Sequence, residues 1–158
     1  MENYDLQEKD SFNVLGFGTE LKSNYTDQTG LNNEKLDFWQ TVNKDGRLSA
    51  LKALATNDFI FAVNEAVNNK MMFYIGVLTE AVAPDARVIQ FPKGQYLVVK
   101  GEGGSLEELN NKLTERTFGQ VLPQVKNFAY VGGPNTVVEM EQKDGSLFGE
   151  MWIPLVRS

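Results

Sequence analysis

The sequence predicts an α+β domain of duplicated βαββ units: an antiparallel sheet backed by two main helices, with a ligand cleft between the halves. Three observations carry this expectation. Short apolar runs of strand length recur along the chain, bounded by glycines. Two longer segments place apolar residues at helical spacing. The order strand, helix, hairpin occurs twice, although no residue-level repeat accompanies it.

The first strand is expected over Ser11 to Leu21, where Phe12, Val14, Gly16, Gly18 and Glu20 alternate with Asn13, Leu15, Phe17 and Thr19. Its glycines point to a bulge or to the close approach of another backbone. A helix follows from Leu31 to about Asn43, on the spacing of Leu31, Lys35, Phe38/Trp39 and Val42. Asp45-Gly46 closes it, and Leu48 to Leu54 reads as a short second helical piece. Asp58 to Asn64 and Met71 to Glu80 form a hairpin, because Asn68 and Asn69 tolerate the left-handed backbone its turn requires.

Arg87 to Phe91 and Gln95 to Lys100 are further strands, turned at Pro92-Lys93-Gly94. The second helix opens on a capping box, Ser105-x-x-Glu108, and continues through Leu106, Leu109, Leu113, Phe118 and Val121 until Pro123. Gly101 to Gly104 before it lacks the Lys-Ser/Thr pair of a phosphate loop and reads as a strand-to-helix turn. A closing hairpin, Thr136 to Glu141 with Ser146 to Leu155, turns at Asp144-Gly145.

Composition limits the chemistry. With 158 residues the chain reads as a single domain over 1–158. It has no cysteine and no histidine. That excludes disulfides, thiolate or imidazole metal sites, cysteine nucleophiles and histidine bases. No cofactor and no metal site are expected. The net charge of −6, with the 15 basic residues scattered, speaks against direct nucleic-acid binding. The longest apolar run, Met71 to Leu78, is far short of the ~20 residues of a membrane span. Met1 to Asp10 is too polar for a signal peptide, so a cytoplasmic location and no membrane partner are expected.

Strand parity singles out the candidate site. Leu147, Met151, Ile153 and Leu155 share one face of the last strand, while Phe148, Glu150 and Trp152 share the other. A carboxylate between two rings either has its pKa raised by desolvation or meets a cation or hydrogen-bond donor; the bland alternative is a solvated face. Tyr74 and Gly76 likewise share a face, a phenol beside bare backbone that suits a flat ligand. Phe38 and Trp39 diverge around their helix, so only one of them can face a cleft.

The sequence resembles the GyrI-like small-molecule-binding domains, the effector-binding domains of multidrug-responsive bacterial transcription activators. Five segments carry the resemblance: Phe12 to Gly18, Leu36-Asp37-Phe38-Trp39, Phe73-Tyr74-Ile75-Gly76-Val77, Phe91 to Val99 and Gly149 to Leu155. It implies a pseudo-symmetric pair of βαββ units enclosing a pocket with aromatic walls and a buried acid, which takes bulky hydrophobic and often cationic molecules. By position Glu150 would be the acid, with Tyr74, Trp152 and Trp39 as wall residues; strand parity adds Phe148 and Gly76 as ligand-binding candidates. No helix-turn-helix precedes the first strand, so the resemblance is to a stand-alone member. Two alternatives accompany it. One is hydrolysis of strained, cyclopropane-containing electrophiles, with Glu150 as acid/base and Tyr74 as proton donor, where Glu65 or Glu80 would supply a second carboxylate. The other is a protein-binding role of the gyrase-inhibitor type. The oligomeric state is left open.

Overall fold

The computed structural model describes residues 4–24, 26–130 and 132–157. Among these, nine strands and three α-helices follow in the order β1 (Tyr4–Lys9), β2 (Phe12–Leu21), α1 (Gln28–Lys44), α2 (Arg47–Lys52), β3 (Ile60–Val67), β4 (Lys70–Leu78), β5 (Arg87–Phe91), β6 (Gly94–Gly103), α3 (Leu106–Arg116), β7 (Phe128–Ala129), β8 (Asn135–Lys143) and β9 (Ser146–Arg157). A π-helical turn, Thr117–Val121, and a 3-10 turn, Leu122–Gln124, carry α3 on to Pro123. The expected α+β class and both βαββ units are present.

Local chemistry accounts for the element ends. The Asp27 carboxylate accepts from the Gly30 N–H at 3.0 Å, so α1 starts three residues before the expected Leu31. The Glu34 carboxylate accepts from the backbone N–H groups of Lys22 and Ser23 at 2.8 and 2.9 Å, and this ties α1 to the end of β2. Ser105 Oγ accepts from the Glu108 N–H while Glu108 Oε2 accepts from the Gly104 N–H. The hairpin turns at Asn68-Asn69 and Asp144-Gly145 take positive φ as their residue types allow.

Two features depart from expectation. Tyr4–Lys9 is a strand, although its residues alternate weakly and are mostly polar. Gly101 and Gly103 belong to β6 instead of a turn. They lie beneath α3, and a Cβ on Gly103 would stand 2.8 Å from the Leu109 amide nitrogen. Glycine there lets the helix seat close to the sheet.

The strand order is β1-β6-β9-β8-β3-β4-β2-β5, antiparallel throughout, with β7 pairing the end of β9. β3 and β8 pair at the centre, where Ala62 opposes Val137, and the two halves are related about that point. Each half is completed by a strand that precedes the other: β1 leads into β2 yet pairs with β6, and β5 leads into β6 yet pairs with β2. Only Asp10 and Ser11 separate β1 from β2, although the two lie toward opposite ends of the sheet. The sheet therefore curls into a half-barrel.

The two faces hold separate cores. On the outer face α1 and α3 pack Leu31, Phe38, Val42, Leu109 and Leu113 over Phe73, Ile75, Val137, Met151 and Ile153. The concave face carries no helix; Val14, Phe61, Ile89, Phe91, Tyr96, Val98 and Trp152 fill it. No helix among the described residues is long and apolar enough to cross a membrane.

Candidate functional site

The face that Glu150, Trp152 and Phe148 share on β9 is the inner one, as is the face that Tyr74 and Gly76 share on β4. Adjacent strands connect Trp152 to Thr136, Val63 and Tyr74 in one row, and Glu150 to Val138, Phe61 and Gly76 in the next. Five of the six expected ligand contacts thus share one surface of the half-barrel.

That surface is occupied by the protein itself. Trp152 Nε1 donates to Glu150 Oε1 at 2.8 Å. The Lys9 ammonium lies 4.0 Å from the Trp152 ring centroid. Burial lowers the Lys9 pKa and the Glu150 charge opposes that shift. Glu150 therefore meets a donor and a cation, one of the two outcomes expected for an acid between rings. Phe12 stacks on Phe91 at 4.6 Å and meets Trp152 edge-on at 5.6 Å, while Phe61 meets Trp152 at 5.7 Å. Tyr96 is buried beside them, its hydroxyl donating to the Pro92 carbonyl at 2.6 Å. Phe148 stands 37% exposed at the rim.

Tyr74 belongs to the same inner core as Trp152, farther along the sheet on β4. Its ring lies across Gly18, where any Cβ would collide with it. Arg87 Nε donates to Glu65 Oε1 at 3.0 Å, and the Arg87 guanidinium stands 5.9 Å from the Tyr74 ring. Burial, with the Glu65 charge assisting, raises the Tyr74 pKa, while Arg87 lowers it. Glu65 is thus the carboxylate that serves Tyr74. Glu150, the partner a hydrolytic reading requires, stands three strands away on β9. Glu80 accepts from Asn13 Nδ2 at 3.1 Å. The space beside Gly76 is taken by the Leu15 carbonyl and a Val14 methyl.

Open space lies on the other side of the sheet. A trough runs between α1 and α3, with β3, β4 and β8 as its floor. One part, of about 750 Å³, is lined by Asn32, Lys35, Asn110, Thr114 and Phe118. A second part, of about 370 Å³, continues over Leu31, Met71 and Tyr130. A small cavity of about 20 Å³ adjoins them beneath Trp39, against Phe73 and Leu106. Trp39 is the one expected ligand contact on this side of the sheet, where it lines the small cavity beside the trough. At its far end Phe118 and Tyr130 stand 5.9 Å apart. Tyr130 is held by its hydroxyl, which donates to the Gly133 carbonyl at 2.7 Å and accepts from Asn135 Nδ2 at 3.2 Å.

The trough is of drug-sized volume; polar side chains of both helices line its larger part, and apolar and aromatic side chains including Leu31, Met71, Phe118 and Tyr130 line its second part. Among the described residues no three acidic side chains gather into a metal-ligand set. Lys35, Asn110, Phe118 and Tyr130 are trough residues that the sequence reading did not nominate. Lys35 left a trace, since it occupies a position in the apolar series Leu31, Lys35, Phe38/Trp39, Val42.

Residues 5–155 match the protein family described as Cass2, integron-associated effector binding protein. No curated protein matches the chain. SAV2435, solved bound to tetraphenylphosphonium, superimposes with a TM-score of 0.77 at 20% identity, covering 99% of this chain and 94% of that one. The integron cassette protein VCH_CASS2 of Vibrio cholerae gives 0.67 at 12% identity, covering 98% and 96%. The C-terminal domain of EcmrR gives 0.52 at 9% identity, covering 98% of both chains. The resemblance to GyrI-like effector-binding domains read from the five sequence segments is borne out by these matches.

Proposed function

The chain belongs to the Cass2 family of integron-associated effector binding proteins, and from that premise we propose that it binds bulky, largely apolar small molecules in the trough between α1 and α3. One observation carries the reading: a trough of several hundred Å³ with Phe118 and Tyr130 at one end, the sheet as its floor, and Trp39 in the small cavity that adjoins it. Stacking on such rings contributes roughly 0.5–1.5 kcal/mol per contact beyond area burial, and a preformed floor lowers the ordering cost of binding.

The test is a titration with the neutral fluorophore N-phenyl-1-naphthylamine on wild type, Trp39→Ala and Glu150→Gln. Trp39→Ala is expected to weaken binding about tenfold, the equivalent of about 1.4 kcal/mol, and Glu150→Gln to change it less than twofold. Binding that ignores Trp39→Ala and is lost in Glu150→Gln would place the ligand on the inner face and overturn the trough.

A second reading rests on Lys9, whose ammonium occupies a seat made by the Trp152 ring and the Glu150 carboxylate. That seat has the chemistry of a site for a hydrophobic cation, the ligand class bound by SAV2435. Under this reading Lys9→Met raises affinity for tetraphenylphosphonium and Glu150→Gln removes it. An unchanged affinity in both variants would dismiss the inner seat.

A further inference from the structure

One cationic side chain, Lys35, lines every part of the trough. Lys35 projects from α1 onto the Phe73 ring, with its ammonium 5.3 Å from the ring centroid. Among the described residues it makes no ion pair with a carboxylate. Burial alone pushes its pKa down to about 8. In a chain of net charge −6, a half-buried lysine laid on a ring without an acidic ion-pair partner stands out.

Polar groups surround it that the fold does not satisfy. Asn110, on the facing wall of α3, is only 4% exposed, and its Oδ1 has no hydrogen-bond partner. The Thr114 hydroxyl one turn further along is also unpartnered. Asn32 on α1 lines the same space. Buried polar atoms are normally paired, so an orphan acceptor and an orphan hydroxyl beside an unpaired ammonium mark a place where a ligand carrying both an acceptor and a donor completes the network. Glu107 and Glu115 line parts of the trough, and Glu65 lines its far part, where Arg87 already pairs it.

We infer that the trough selects amphipathic anions, a single carboxylate or sulfonate head seated against Lys35 and Thr114, a neighbouring N–H or O–H donating to Asn110 Oδ1, and an apolar body laid along Leu31 and Phe118 with its edge toward Trp39. This rests on the trough being the binding site. Lys35 supplies a charge-assisted hydrogen bond to the head group, the Thr114 hydroxyl donates beside it, and Asn110 Oδ1 accepts from an N–H or O–H next to the head. The protein then differs in ligand charge from the tetraphenylphosphonium-bound SAV2435, whose fold it shares.

The experiment compares two probes of similar shape, 1-anilinonaphthalene-8-sulfonate and neutral N-phenyl-1-naphthylamine, on the full chain. Lys35→Met is expected to weaken the sulfonate about tenfold or more and to leave the neutral probe within about twofold, as the loss of one charge-assisted hydrogen bond requires. Lys35→Arg keeps the charge and is expected to retain sulfonate binding. Trp39→Ala weakens both probes, which assigns them to the trough, and melting curves confirm that each variant is folded. Equal binding of the sulfonate to wild type and Lys35→Met overturns the anion inference; retained, Trp39-dependent binding of the neutral probe leaves the trough standing. Failure of both probes to bind wild type, or binding that ignores Trp39→Ala, overturns both.

Discussion

The half built from β2, α1, β3 and β4 and the half built from β6, α3, β8 and β9 share one scaffold but put different side chains on the inner face. Turning β3 onto β8 about Ala62 and Val137 brings Phe61 to Thr136, and with them their partners Gly76 and Trp152 into equivalence. Tyr74 and Glu150 are equivalent in the same way. The hairpin turns Asn68-Asn69 and Asp144-Gly145 also correspond, with one extra residue in the second half absorbed by the bulge between Glu139 and Glu141. One half therefore supplies backbone without side-chain volume, and the other fills the half-barrel with an indole. The duplication conserves hydrogen-bond geometry while side-chain volume is redistributed between equivalent sites.

The largest effect is expected from emptying the filled half. Trp152 is 8% exposed and meets Phe12 and Phe61 edge-on, so Trp152→Ala should cost about 3–5 kcal/mol in chemical denaturation. A loss under about 1 kcal/mol would mean that the indole is not what fills the inner face. Filling the empty half comes next. A Cβ on Gly76 would stand 2.5 Å from the Leu15 carbonyl oxygen, and Gly76→Ala is expected to destabilise by about 1–3 kcal/mol. A neutral result would show that β2 and β4 can part locally.

Smaller effects sharpen the comparison. Lys9 sits over Trp152, while Phe91 occupies the corresponding place in the other half. Lys9→Met should cost no more than about 1 kcal/mol, the value of an exposed cation–π contact, read from the same denaturation curves. The smallest effect is one of pH. Glu139 is the equivalent of Asn64 and is buried enough that desolvation raises its pKa, with Lys52 opposing. Folded protein then holds this proton at a pH where unfolded chain has released it, so the contribution of Glu139 to stability falls as pH rises through the raised pKa. Glu139→Gln should flatten that segment of the stability profile; an unchanged profile would mean the carboxyl is solvated.

The sequence made some of this legible and left other parts hidden, for definite reasons. The hairpins were readable because Asn68-Asn69 and Asp144-Gly145 announce their backbone, and α3 because Ser105 and Glu108 cap it. β1 was not: Tyr-Asp-Leu-Gln-Glu-Lys is the polar composition of an edge strand, and its partner β6 lies about 90 residues away. For the site, parity correctly grouped Phe148, Glu150 and Trp152, and separately Tyr74 and Gly76. Parity cannot say which face the helices take, because alternation is symmetric about the sheet. Trp39, on a helix, was grouped by the family resemblance with residues that lie across the sheet from it. Lys35 was visible as a lysine in an apolar series, but its lack of a carboxylate partner depends on how α1 and α3 meet.

The exchange of edge strands between the halves has a consequence for the birth of the molecule. Tyr4 pairs with Val99 and Lys9 with Gly94, so β1 leaves the ribosome long before its partner exists. At about 5–20 residues per second that wait lasts on the order of 5–20 s. β5 meets its partner β2 already made, so the first half can close while the second is still being translated. The strand that begins the described chain is thus among the last to find its place, and its arrival delivers Lys9 to Trp152 and seals the inner face.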